Sequence, residues 1–495
     1  MAFVLGCGPS SDTSDGGTDA ATDTSAEAVA DGGDAGPTPT EIAAFNQLVT
    51  ATQNELTKSN TPGASIAVVL HGKLTFAAGV GNKLLSPPAA VTTSTRFRAA
   101  SMSKMIVAAT AMSLVDAGML DLAAPITNYI PWFSLASGYD ASTLTTSLLI
   151  SHSSGFPCDT IGICDSQTSG DREAFFVGYP QPLWAPPGAV YDYSNTGFAL
   201  AAAVLEGAAG TAEGSYEELA SERVFVPAGM TTASYDATAV QSGDYATGYT
   251  LDATNAVTGT VEPLTLECPM LHPYGGVMAT ATDYAHFAEM LLASGASTLT
   301  PASAALMQTG HADMHTFATQ EYAYGLIHQF SPYSDHASVW HDGSLPGYTS
   351  EMWMIPDDGF AVVVLTNARG VNYDVPDDIV ADALPLFISE TEHVPPLTTP
   401  PSAWSGYVGT YDDTLATLGT GVVVSLDGGT NQLAVAAPNS LDLSFNPAPV
   451  YGAMTQYAVD EWGMPDGTVA TFFPAANADG GPSTYLVTRR GVASR

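Results

Sequence analysis

Two apolar hairpins stand near opposite ends of one long stretch of this chain, and they constrain its fold more than any other feature. The first reads "GASIAVVLHG" and "KLTFAAGVGN", turning at His71–Gly72; the second reads "SEMWMIPDDGFAVVVLTN", turning at Asp357–Asp358–Gly359. Runs rich in Val, Ala and Phe, bounded by Gly and Asp turns, read as strands. Helical text flanks them. "PTEIAAFNQLVTATQNEL" has helical apolar spacing after a Thr cap with Pro beside it, so structure begins near Thr40, and "VPDDIVADALPLFI" follows the late hairpin. Between the hairpins the text is mostly helical, at about residues 101–117, 197–208, 216–224 and 281–293. The economical arrangement is α+β: an antiparallel sheet built from the two ends, flanked by the terminal helices, with the middle as a helical subdomain.

Outside this body the text changes character. Residues 1–40 are an acidic, Gly/Thr/Ala-rich tether without aromatic residues after "MAFVLGCG". That start is similar to the end of a bacterial lipoprotein signal, with Cys7 as the lipidated residue and the coding region opening upstream of Met1; an ordinary flexible N-terminus is the alternative. The body occupies 41–392. Residues 393–404, "HVPPLTTPPSAW", form a proline-rich linker, and 405–495 read as short strands of a small all-β, barrel-like domain.

The net charge is −38, from 12 basic residues against 50 acidic ones. Such a surface repels phosphate backbones and anionic headgroups. The expected partners are therefore a small-molecule or peptide substrate, no nucleic acid, and a membrane only through a lipid anchor at Cys7. This suits a secreted or cell-envelope protein. Of the four cysteines, Cys158 and Cys164 are close enough to close a short loop in an oxidising compartment, which leaves Cys7 and Cys268 over.

Three short motifs carry chemistry. In "FRAASMSKMIVAAT", Ser101 stands three residues before Lys104 at the start of an apolar helix, so the two side chains share a face. A serine is a poor nucleophile until something accepts its proton. A crowded lysine can do so, and a helix N-terminus favours the oxyanion that follows. A helix-capping serine with an exposed lysine is the plain alternative. In "PPGAVYDYSNTGF", Tyr193 stands ahead of a helix with Asn195 two residues on; a tyrosine beside an ammonium suits a general base, and an asparagine amide can hold the lysine or a carbonyl. In "VWHDGSLPGYTS", alternation puts His341 and Gly343 on one strand face and Asp342 on the other. Glycine there admits close approach of a substrate backbone, and the Ser344 N–H offers an oxyanion donor.

S-x-x-K, a second polar triplet and a K-T-G-like third element, in this order, make the signature of serine β-lactamases and penicillin-binding proteins. The chain resembles that superfamily in its class C, DD-peptidase and esterase branch, where the second motif is Tyr-x-Asn. "LLISHSSGFP", "YGGVMATATDYAHFAEMLL" and the closing hairpin are also similar to the family's text, and the resemblance covers about residues 41–390. It implies Ser101 as the acyl-forming nucleophile, rather than Ser103, with Lys104 as its proton partner and Tyr193 as general base or acid. Asn195, His341, Gly343 and Ser344 would bind substrate, and no metal or cofactor is called for. His341 stands where β-lactamases carry a lysine, and a neutral imidazole grips a carboxylate less firmly, which disfavours efficient penicillin hydrolysis. The resulting expectation is a serine hydrolase of small amides or esters. The alternatives are a β-lactamase or D-Ala-D-Ala carboxypeptidase, and a non-catalytic binding module of the same fold. "HADMH" spaces His311 and His315 as on a zinc helix but lacks the adjacent Glu and a third ligand, so no metal site is expected there.

Overall fold

The computed structural model describes residues 36–388 except 137, 158–171, 262–266, 315–319, 331–335 and 370–374, together with strands at Glu27–Ala28 and beyond residue 408. Helix α1 (Pro39–Ser59) opens on Thr38, whose hydroxyl accepts from the Glu41 N–H while the Glu41 carboxylate accepts from the Thr38 N–H. This reciprocal cap satisfies two orphan donors. Phe45, Leu48, Val49, Thr52 and Leu56 form its buried stripe.

The first hairpin is β1 (Gly63–Leu70) and β2 (Lys73–Leu85). His71 and Gly72, at φ 55° and 72°, form its two-residue turn, the left-handed geometry that matches strand twist. Strands β3 (Gln320–Tyr322), β4 (Ile327–Phe330), β5 (Ala337–Leu345), β6 (Tyr348–Ile355) and β7 (Phe360–Thr366) give the sheet the order β2-β1-β7-β6-β5-β4-β3, extended by the short strands Glu27–Ala28 and Pro88–Ala90 on β2 and Ala312–Asp313 on β3. The two hairpins therefore meet at β1 and β7, which pair antiparallel from Ala361–Val69 to Thr366–Ala64. Both strands are buried along their whole length, so both sheet faces must be covered.

Helices α2 (Ser103–Asp116), α3 (Asn195–Ala209), α4 (Ala281–Leu292) and α5 (Val375–Phe387) supply much of that cover. α1 and α5 pack on each other and on the sheet, while α4 packs on β1, β2 and β7. Every residue of α2 from Ser103 to Leu114 is buried, as expected of a helix apolar on all sides. Lys104 is the one basic side chain it takes inside.

Some expectations change. Strands β3 and β4 and a helix at Pro301–Gln308 lie where no element was read. His311 is not helical: it precedes a short strand, stacks on Tyr324 at 3.8 Å and its Nε2 lies 2.9 Å from the Leu306 carbonyl; His315 lies outside the described residues. Cys268 is disulfide-bonded rather than left over; Cys7, Cys158 and Cys164 lie outside the described residues, as does the proline-rich segment 393–404. Beyond residue 408 the strands form a four-stranded and a five-stranded antiparallel sheet. No helix among the described residues is long and apolar enough to cross a membrane.

Candidate active site

Ser101 sits on a 3-10 turn, Ala100–Met102, that runs directly into α2. Ala100 takes φ 48°, a left-handed conformation that a residue with a Cβ holds only when its surroundings impose it. Those surroundings are explicit. The Ala99 N–H donates to the Val277 carbonyl at 2.9 Å, and the Ser350 hydroxyl donates to the Ala99 carbonyl at 2.7 Å. The Ser103 hydroxyl donates to the Ala100 carbonyl at 2.7 Å and accepts from the Val277 N–H at 3.0 Å. Ser103 is thus fully buried and committed to the backbone, whereas Ser101 is only half-buried.

Lys104 follows one turn later with 0 % of its surface exposed. Its Nζ donates to Ser101 Oγ at 3.1 Å and to the Tyr274 carbonyl at 3.1 Å. The same nitrogen lies 4.6 Å from the centre of the Tyr193 ring and 5.6 Å from that of Phe198, a geometry in which ring faces attract the cation. Ser101, Lys104 and Tyr193 are therefore brought together, and Asn195, two residues after Tyr193, is the first residue of α3.

The loop that carries Tyr193 is held from below by His152. The His152 carbonyl accepts from the Asp192 N–H at 2.7 Å, and its Nδ1 accepts from the Ser194 N–H at 2.9 Å. Its φ of 57° turns both acceptors toward one loop. Its ring packs 4.2 Å from Tyr193, 4.9 Å from Phe198 and 4.4 Å from Tyr322, centroid to centroid. Burial, with the charges of Lys104 and His341 adding, holds this imidazole well below its ordinary range, so it stays neutral with its proton on Nε2. That nitrogen is buried and has no hydrogen-bond partner among the described residues. On the far side, Ser194 caps α3 by accepting from the Gly197 N–H.

Strand β5 forms the opposite wall. His341 is fully buried, its Nε2 2.9 Å from the Tyr322 hydroxyl and its Nδ1 2.5 Å from the Asp342 carbonyl; its ring lies 6.3 Å from that of Tyr193. Asp342 alternates to the other face, opposite Glu351 in register, although its carboxylate reaches 3.8 Å from His341 Nδ1. Gly343 is tighter than expected. A Cβ there would meet Ser350 Oγ, the Ala99 carbonyl oxygen at 2.5 Å and Ser101 N at 2.9 Å. The space a side chain would need is filled by the serine's own turn and by Ser350. β4 pairs with β5 only from Ala337 to Trp340, which leaves His341–Leu345, with Ser344, unpaired by β4 along that edge.

Behind Lys104, the turn His272–Gly275 that carries Tyr274 is anchored by buried charges. His272 bonds Glu217 at 2.7 Å and Glu267 at 3.2 Å, Arg98 lies 3.6 Å from Glu267, and Arg172 bonds Glu206 and the Pro269 carbonyl. Burial opposes protonation of His272, but its hydrogen bonds to the two carboxylates outweigh this and hold the imidazole above its ordinary range.

Three residues at this site were not singled out from sequence. His152 stands inside "LLISHSSGFP", text that carried the family resemblance without a role. Tyr274 contributes a backbone carbonyl, which any residue possesses. Tyr322 lies on a three-residue strand, too short to show a pattern.

The family model described as Beta-lactamase matches residues 45–386. The chain is 29% identical to Penicillin-binding protein 4 of Amycolatopsis lactamdurans, over 63% of this chain and 82% of that one. It is 24% identical to Protein flp of Staphylococcus aureus, over 65% of this chain and 62% of that one, so it spans less than two thirds of that relative's length. The crystal structure of D-amino acid amidase from Ochrobactrum anthropi superposes with a TM-score of 0.57 at 22% identity, covering 69% of this chain and 99% of the other. With a family model covering most of its length, and with that family's α+β fold, this chain belongs to the beta-lactamase family of serine-hydrolase-type proteins.

Proposed function

We propose that this protein forms an acyl-enzyme on Ser101 and cleaves a small amide or ester. The observation that carries the reading is the 3.1 Å hydrogen bond from a wholly buried lysine to the hydroxyl of Ser101, the residue after the left-handed Ala100. Ser101 Oγ attacks the acyl carbon as its proton passes toward Lys104 and Tyr193. The N–H groups of Ser101 and Ser344 stabilise the oxyanion. Collapse breaks the acyl–leaving-group bond, and Tyr193 returns a proton to the departing nitrogen or oxygen. Water, entering with Tyr193 as base, then attacks the ester on Ser101 and releases the acid. Asn195 keeps Lys104 and the acyl carbonyl in register. The structural likeness to a D-amino acid amidase supports amide bonds as substrates. A second reading, a β-lactamase or D-Ala-D-Ala carboxypeptidase, is favoured by the similarity to Penicillin-binding protein 4. A binding module of the same fold would need no lysine on the serine.

The test is covalent labelling with a fluorophosphonate and, separately, with a labelled penicillin, the modified peptide being read by mass spectrometry. Fluorophosphonate on Ser101 is the expected result. Stable penicillin labelling favours the second reading, and no labelling by either overturns the enzyme. A Lys104→Ala variant that hydrolyses at the wild-type rate removes the lysine from the scheme.

A further inference from the structure

We propose that Tyr322 withholds His341 from the substrate, and that the site therefore selects acyl donors with no carboxylate beside the scissile bond. The inference rests on the acyl-enzyme reading above and adds its substrate class. A carboxylate bound at the third motif needs a cation or an N–H donor facing it. His341 is the only cation-forming side chain β5 offers there, and both of its ring nitrogens are already engaged. Nδ1 lies 2.5 Å from the Asp342 carbonyl, an oxygen that can only accept, so Nδ1 carries a proton. Nε2 lies 2.9 Å from the Tyr322 hydroxyl, which can either donate or accept. On a neutral ring Nε2 accepts a hydrogen bond from the tyrosine O–H; a charged ring donates Nε2–H to the tyrosine oxygen. In neither state does an imidazole N–H point toward a substrate.

The result does not depend on how His341 titrates among its neighbours Asp342, Lys104, His152 and Tyr193. Tyr322 is itself fixed, fully buried on β3 and packed 4.4 Å from His152. Lys104 cannot stand in for His341, since its Nζ serves Ser101 and the Tyr274 carbonyl. Arg98 is fully buried beside Glu267, away from the cleft. Tyr322 thus acts through His341, as a positioning residue that sets specificity.

The probes are two thioesters with one phenylacetylglycyl acyl group. One leaves as mercaptoacetate, carrying a carboxylate; the other leaves as its methyl ester, which is neutral. Thiol release is followed by disulfide exchange with a chromogenic reagent. For the wild type, the neutral thioester has the higher kcat/KM. In Tyr322→Phe, which keeps the ring and removes the hydroxyl, Nε2 is left to take up a proton and meet the carboxylate, so at about pH 5–6, where an imidazole charges, the carboxylate-to-neutral ratio of kcat/KM rises roughly tenfold over the wild type, what one hydrogen bond to a charged group is worth. A wild type that prefers the carboxylate, or an unchanged ratio in the variant, overturns the proposal. A second readout is independent of turnover. In protein labelled with 15N-histidine, Tyr322→Phe displaces the Nε2 resonance of His341, identified by its loss in His341→Asn; an unmoved resonance overturns the lock. If Ser101 fails to label and neither thioester turns over, the acyl-enzyme reading falls, and the resonance alone decides the lock.

Discussion

Gly343→Ala is the smallest change that reaches the turn of Ser101, the proposed nucleophile, and its cost follows from the structure. The added methyl would lie 2.5 Å from the Ala99 carbonyl oxygen and 2.9 Å from Ser101 N, with Ser350 Oγ on the third side. Two of these obstacles are backbone and cannot swing aside. The Ala99–Ser101 turn must retreat by roughly 0.5–0.9 Å to restore ordinary contact. Misplacement of a reacting group on that scale slows reaction by about 10- to 100-fold, and the overpacking itself costs about 1–3 kcal/mol of stability. The assay is the second-order rate of fluorophosphonate labelling at Ser101, run beside a melting curve. Gly72→Ala is the control: nothing lies within 4 Å of the position, but its φ of 72° strains any side chain, so it lowers stability and leaves labelling alone. Adding Ser350→Gly to Gly343→Ala removes one obstacle of three and does not restore the rate. If Gly343→Ala labels as fast as the wild type, the strand does not abut the serine's turn and the reasoning fails.

Two further outcomes follow. His152→Ala removes the acceptor for the Ser194 N–H, costing about 1–3 kcal/mol and lowering kcat roughly tenfold or more through a loosened Tyr193; His152→Asn, which keeps an acceptor, recovers part of the loss, and an alanine variant with wild-type kcat refutes the clamp. His272 has its imidazole raised above 6.5 in the folded state, so its contribution to stability is full below that value and is lost as pH rises through the raised one; melting temperatures followed across that window fall for the wild type but not for His272→Gln, and parallel curves refute it.

What could be read from the sequence was whatever local chemistry dictates. The His71–Gly72 turn, the Thr38 cap region, and the spacing of Ser101 and Lys104 depend on neighbours in the chain, and each stands where it was expected. The buried α2 was legible as an apolar run. What escaped depends on distant neighbours. Nothing in "HDGSLPG" reports that Ala99 lies where a side chain on Gly343 would go. Nor did Tyr322, on a strand of three residues with no pattern of its own, announce its hydroxyl beside His341. His152 gains its meaning only when Ser194 and Tyr193 fold over it.

The meeting of β1 with β7, and of Gly343 with the Ala99–Ser101 turn, also orders events at the ribosome. Ser101 emerges ahead of Gly343 by roughly 12–48 seconds at the usual pace of synthesis. Through that interval the nascent chain already carries the serine, the lysine and in time the tyrosine, but it lacks both the wall that seats the serine's turn and the strand that joins the two hairpins. The seat of Ser101 is thus incomplete until the body of the protein is almost completely translated, and a chain cut short before β5 carries the motif without the wall behind it.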